Sequence, residues 1–141
     1  MKILFLCLCF LLCGCQTSFE KDIMNLKQLK ESLYSYFEYP LSEDEKLIQE
    51  PLRTQLNKVE DKLILVTPFS YPNEMIIIVH DDNDKWMSFF QDYVKQLKSS
   101  NTYIETNQYY EKCVKIGKIH QYTYFIMSKN HQKIIDYLLG M

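Results

Sequence analysis

Met1 and Lys2 are followed by an unbroken apolar run, Ile3 to Leu12, and then by Cys13-Gly14-Cys15-Gln16. This run constrains the chain more than any other feature, because it decides which residues remain to fold. A membrane-spanning helix needs about 20 apolar residues, and the run has half that length. A basic residue, a short greasy core and a small residue before a cut are the order of an export signal. On that reading residues 1–14 are removed and residues 15–141 form one small domain. Two outcomes of the cut stay open: release of a soluble protein, or exposure of a cysteine that takes up lipid.

The segment Leu12-Cys13-Gly14-Cys15 resembles the lipobox of bacterial lipoproteins. The resemblance implies that Gly14 is the last residue removed and that Cys15 becomes the lipid-carrying, palmitate-bearing N-terminus. Each buried methylene contributes about 0.8 kcal/mol, and one acyl chain alone holds only marginally. The two or three chains implied for Cys15 would make attachment effectively permanent. Gln16 stands where an aspartate would imply retention in an inner membrane. The resemblance therefore implies the inner leaflet of an outer membrane, facing the periplasm, in a cell with two membranes.

Cys7, Cys9 and Cys13 fall in the removed segment, which leaves Cys15 and Cys113. With Cys15 carrying lipid, no disulfide framework can form. The fold must be held by its core, and a chain of this size buries roughly two thirds of its unfolded surface.

Thr17-Ser18-Phe19-Glu20 fits a capping box, and Phe19, Ile23, Leu26, Leu29, Leu33 and Phe37 follow at helical spacing, with Pro40 as the stop. Ser42-Glu43-Asp44-Glu45 repeats the capping pattern, with a stripe from Leu47 to Val59 and a break at Pro51. Leu63–Val66 and Met75–Val79 read as strands buried on both faces, joined by a turn-rich loop that displays Phe69 and Tyr71. Trp86, Phe89, Phe90, Tyr93, Val94 and Leu97 form the clearest helical stripe. From Ser99 onward the pattern turns β-like, with strands over 110–119 and 122–127 about a His120-Gln121 turn, Gly117 offering another site for it. Ile134, Ile135, Leu138 and Leu139 close the chain as a helix ending at Gly140. The predicted class is α+β: a small, mainly antiparallel sheet of two hairpins with helices packed on one face.

Chemistry is sparse. His80, His120 and His131 lie far apart in the sequence, and no pair has the helical spacing of a zinc site. The acids Asp81, Asp82 and Asp84 fail the calcium-loop pattern, since its sixth and twelfth places hold Trp86 and Asp92. They suit the start of a helix instead. Cys113 with His120 could form a nucleophile pair, but no local signature supports it, and a lone strand cysteine is usually a small buried hydrophobe. With three glycines in the chain no phosphate loop can be built. No catalytic residue, metal ligand, cofactor or small-molecule substrate is predicted.

Charge is divided between the halves. Residues 15–84 carry 7 basic and 14 acidic side chains, and residues 85–141 carry 8 and 4, so the balances are −7 and +4. The mild total excludes a nucleic-acid footprint. The halves can attract one another within one fold. Alternatively Lys112, Lys115, Lys118, Lys129 and Lys133 present a basic face to an acidic partner or to phosphates. Tyrosine combines apolar area with a hydroxyl and suits contact surfaces. It clusters at Tyr34, Tyr36 and Tyr39 and again at Tyr103, Tyr109 and Tyr110.

The expectation is a non-catalytic accessory lipoprotein, held to the membrane through Cys15 and bound to an envelope protein of a secretion, pilus or other assembly. A protective binder of a toxin or phage component fits the same features. An envelope enzyme using Cys113, His120 or the 81–84 acids fits them least.

Overall fold

The computed structural model describes residues 24–70 and 72–141. Gly14, the lipid-carrying Cys15 and the Thr17 cap lie outside these residues, as does Tyr71. The described chain contains five α-helices and a four-stranded antiparallel sheet, the α+β class that the sequence predicts.

Strands β1 (Lys62–Val66) and β2 (Met75–His80) are the two apolar runs, and they pair antiparallel with Ile64 opposite Ile77. Strands β3 (Val114–Ile119) and β4 (Tyr122–Met127) form the second hairpin about His120-Gln121. His120 closes that two-residue turn with a positive φ of 51°, the conformation such tight turns demand. Strand β4 then pairs with β2, so the sheet order is β1-β2-β4-β3.

Strands β2 and β4 are buried along nearly their whole length. Successive side chains of a strand point to opposite faces, so both faces need cover. The expectation of helices on a single face is corrected accordingly. On one face Ile64, Ile77, Val79 and Phe125 pack with α2 (Leu52–Leu56), α3 (Lys85–Ser100) and α4 (Ile104–Cys113). On the other, Leu65, Ile76, Ile78 and Ile126 pack with α1 (Leu26–Leu33) and α5 (His131–Leu139). None of the described helices is long and apolar enough to cross a membrane.

Helix α3 is the predicted aromatic stripe, with Phe90, Tyr93 and Leu97 buried. The acidic turn starts it, through its first member. The Asp81 carboxylate accepts from the backbone N–H of Lys85 at 3.1 Å and of Trp86 at 3.2 Å, and from the Thr123 hydroxyl at 2.8 Å. A carboxylate there satisfies two orphan donors and complements the helix dipole. Asp84, next to the helix, has φ 58°, makes no cap and pairs with Lys118 instead.

Three predicted elements differ. Residues 104–113 are helical, although their tyrosines suggest a strand. The helix places Thr106 and Tyr110 inward, and packing against the sheet overrides β-propensity. Within the described residues α1 begins at Leu26, where the Asn25 side chain accepts from Gln28 N–H at 3.1 Å. It gives way to a 3₁₀ turn at Tyr34–Tyr36, short of Pro40. The expected second helix is also divided. Ser42 exchanges backbone bonds of 2.8 and 2.9 Å with Val66, Asp44 caps only a 3₁₀ turn at Glu45–Leu47, and α2 begins after Pro51. Proline lacks the N–H that would carry a helix through that point.

Candidate docking groove

The sheet and its loops enclose an open groove of about 610 Å³ between segments far apart in sequence. Glu38 and Tyr39 come from the linker after α1, and Phe69, Ser70, Pro72 and Glu74 from the β1–β2 loop. Tyr103, Glu105, Thr106 and Tyr109 come from the start of α4, and Lys129 and Asn130 from the β4–α5 turn.

Each wall is tied down by hydrogen bonds, some within a turn and some between distant segments. Asn101 folds into an Asx turn, its side chain accepting from Tyr103 N–H at 2.9 Å, and this launches α4. Asn107 donates back to the Asn101 carbonyl at 3.2 Å. The Glu74 carboxylate accepts from the Ser128 hydroxyl at 2.8 Å and from Lys129 N–H at 3.1 Å. It thereby links the hairpin loop to the β4–α5 turn. Asn130 donates its side-chain amide to the Tyr36 carbonyl at 2.7 Å, fixing the linker that carries Tyr39. At the loop base, Thr67 and Ser70 bond through their hydroxyls, and both accept from Glu74 N–H.

Among polar neighbours, this fixed frame holds exposed rings. Phe69 is 77% exposed, Tyr103 65% and the neighbouring Ile104 74%. A buried aromatic gains from leaving water, so rings held outward on a bonded frame are a surface suited to a partner. Tyr109 closes the floor. Its hydroxyl is buried without a hydrogen-bond partner among the described residues. Burial, and then the nearby Glu74 charge, push its ionisation well above the usual phenol range. It acts as apolar lining with a neutral hydroxyl.

The groove gathers three sets that the sequence singles out separately: Tyr39 of the first tyrosine cluster, Tyr103 and Tyr109 of the second, and Phe69 of the loop. Other members go elsewhere. Tyr36 packs on Tyr137 with ring centroids 5.8 Å apart, Tyr34 faces solvent, and Tyr110 belongs to the core. Lys129 is the only one of the five predicted basic residues lining this groove. Sequence reasoning missed Glu38, Glu105 and Asn130. The Asn101-x-Tyr103 turn start was the legible signal for α4, and hence for Glu105. Nothing local marks Asn130, whose partner is Tyr36.

The residues considered for catalysis are not brought together. Cys113 and His120 stand beyond opposite ends of β3, roughly 20 Å of extended chain apart. Burial pushes the Cys113 thiol up, away from a thiolate. His80 faces the Gln121 side chain at 3.1 Å, and His131 faces the Ser128 carbonyl at 3.0 Å. Among the described residues no group of three or more His, Cys, Asp or Glu side chains is placed to hold a metal ion.

Comparison with known protein families, with curated proteins and with solved structures returned no match.

Proposed function

We propose that this chain is a lipid-anchored accessory protein of the bacterial envelope, acylated at Cys15, which binds a protein partner through the aromatic groove. The observation that carries the reading is the meeting of Tyr39, Phe69, Tyr103 and Tyr109 on one hydrogen-bonded frame. Interfaces concentrate aromatic residues at their centre, and a preformed frame lowers the ordering cost of binding. The Leu12-Cys13-Gly14-Cys15 segment supports the anchor.

The test is in-cell photo-cross-linking from positions 69 and 103, with the exposed Gln96 on α3 as the control position. The reading expects one envelope protein captured from 69 and 103 and absent from 96, with capture from 69 lost when Tyr39→Ser and Tyr103→Ser are combined. Equal capture from all three positions would remove the groove from the account. The anchor is tested separately: palmitate labelling should vanish, and the protein should leave the membrane fraction, in Cys15→Ser.

A further inference from the structure

The sheet has two edges, and they are finished differently. The outer edge of β1 is met by Ser42, whose N–H and carbonyl are both bonded to Val66. Among the described residues the outer edge of β3 meets no strand. Its hydrogen-bond phase follows from its neighbours. Ser128 N–H donates to the Cys113 carbonyl at 3.1 Å, and Ile119 faces Tyr122 across the two-residue turn. In an antiparallel pair, bonded positions alternate, so 113, 115, 117 and 119 bond toward β4. Val114, Ile116 and Lys118 therefore turn their backbone groups outward. Val114 N–H is used by α4, bonding the Tyr110 carbonyl. The N–H groups of Ile116 and Lys118 and the carbonyls of all three have no backbone partner among the described residues.

The surroundings give this edge a charge. Beside it lies a hollow of about 400 Å³, floored by Val94, Val114 and Ile116 and bordered by Lys95, Lys98 and Lys115 with one carboxylate, Glu111. Lys95 and Lys98 each face one carboxylate, Asp92 at 2.9 Å and Glu111 at 3.4 Å. Lys115 has no ion-pair partner among the described residues. Strand β3 itself holds two lysines, the unpaired Lys115 and the Asp84-paired Lys118, and no carboxylate. Two copies paired edge to edge would bring four lysines together with no acid on either strand, which disfavours self-association.

We propose that the free edge of β3 receives, as a fifth strand, an extended segment of a partner protein that carries carboxylates. Backbone bonds to Ile116 and Lys118 supply the pairing, and Lys115 and its neighbours select for acid. This surface is separate from the aromatic groove and stands whether or not Cys15 is acylated.

The test uses the full chain purified in detergent and two blocked peptides, one alternating Glu with Val and one alternating Lys with Val. Amide hydrogen exchange is read residue by residue. The Glu peptide should slow exchange at Ile116 and Lys118 by about tenfold or more at saturation, and the Lys peptide should not. Lys115→Glu should reverse the preference between the two peptides. Lys118→Pro, which removes an outward N–H from an exposed edge position, should abolish protection by either. Unchanged exchange at Ile77 and Phe125 would show that both variants keep their fold. Absence of protection at Ile116 and Lys118 overturns the proposal. So does protection that rises with protein concentration alone, which would mean pairing between copies. Equal response to both peptides removes the acid-bearing partner.

Discussion

The two faces of the sheet are covered by different means. Under α3 and α4 the packing is aromatic: Trp86 lies 5.3 Å from Phe90, Phe90 5.3 Å from Phe125, and Tyr93 6.1 Å from Phe125, by ring centroids. Under α1 and α5 it is mainly aliphatic, with Leu29, Leu33, Ile76, Ile78, Ile126, Ile134 and Leu138 all buried. Tilted rings at such distances hold one another in orientation, whereas aliphatic side chains slide and refill more readily. The aromatic side should therefore be the less forgiving of the two.

The largest effect expected from this contrast is at Phe90, fully buried at the centre of the ring cluster. Phe90→Ala should destabilise by about 3–5 kcal/mol, because the hole is too large for fixed rings to close. Leu138→Ala on the other face should cost about 2–3 kcal/mol, since α5 packs by one short stripe and can settle inward. Urea midpoints at constant m-value measure both. Losses that scale only with the side-chain volume removed would mean that the faces do not differ in rigidity.

A smaller and more local effect is expected where the aliphatic face admits a ring. Gly117 lies opposite Tyr124 across the β3–β4 pair, and a Cβ at position 117 would overlap the Tyr124 ring and hydroxyl. Tyr124 is 8% exposed, which leaves it little room to retreat. Gly117→Ala should cost about 1 kcal/mol, at the low end for overpacking, because a ring tip yields more easily than backbone. Adding Tyr124→Leu should recover most of the loss. If the double variant is less stable than the sum of the two single changes, the overlap is not the cause.

What the sequence made legible follows the same division. The β1 and β2 runs, the Trp86–Leu97 stripe and the His120 turn are local patterns, and each lies where its residues predict. The covering of both sheet faces was implicit in the unbroken apolar runs, since a strand with no polar side has no solvent face. What stayed hidden is non-local. Helix α4 is polar and tyrosine-rich, and beyond its Asn101 turn start it is the sheet beneath it that selects helix over strand. The division of the 42–61 segment depends on Ser42 meeting Val66. The groove depends on Asn130 meeting Tyr36 and on Glu74 meeting Ser128. Tyr39, Phe69 and Tyr103 could be named in advance as contact candidates, but their shared groove is written in side-chain pairs that sequence spacing does not encode.

The finest probe of the comparison is pH, because each face buries a phenol by a different route. Tyr93, on the aromatic face, is pushed up to about 12, by burial first and then by Tyr110. Tyr122, on the other face, is also pushed up to about 12, by burial and then by its 2.7 Å hydrogen bond to the Asp61 carboxylate. An unfolded tyrosine ionises near pH 10. Between about pH 10 and 12 the unfolded chain gives up protons that the native state retains, so it binds fewer protons and stability falls as pH rises. The contribution is fully present below pH 10 and is lost through the folded-state value. Asp61→Asn removes the negative charge beside Tyr122 and leaves Tyr93 untouched. Phenolate absorbance should then show Tyr122 ionising earlier, with the Tyr93 step unmoved. An unmoved Tyr122 step would mean that burial alone sets its value, and that Asp61 contributes nothing to the aliphatic face.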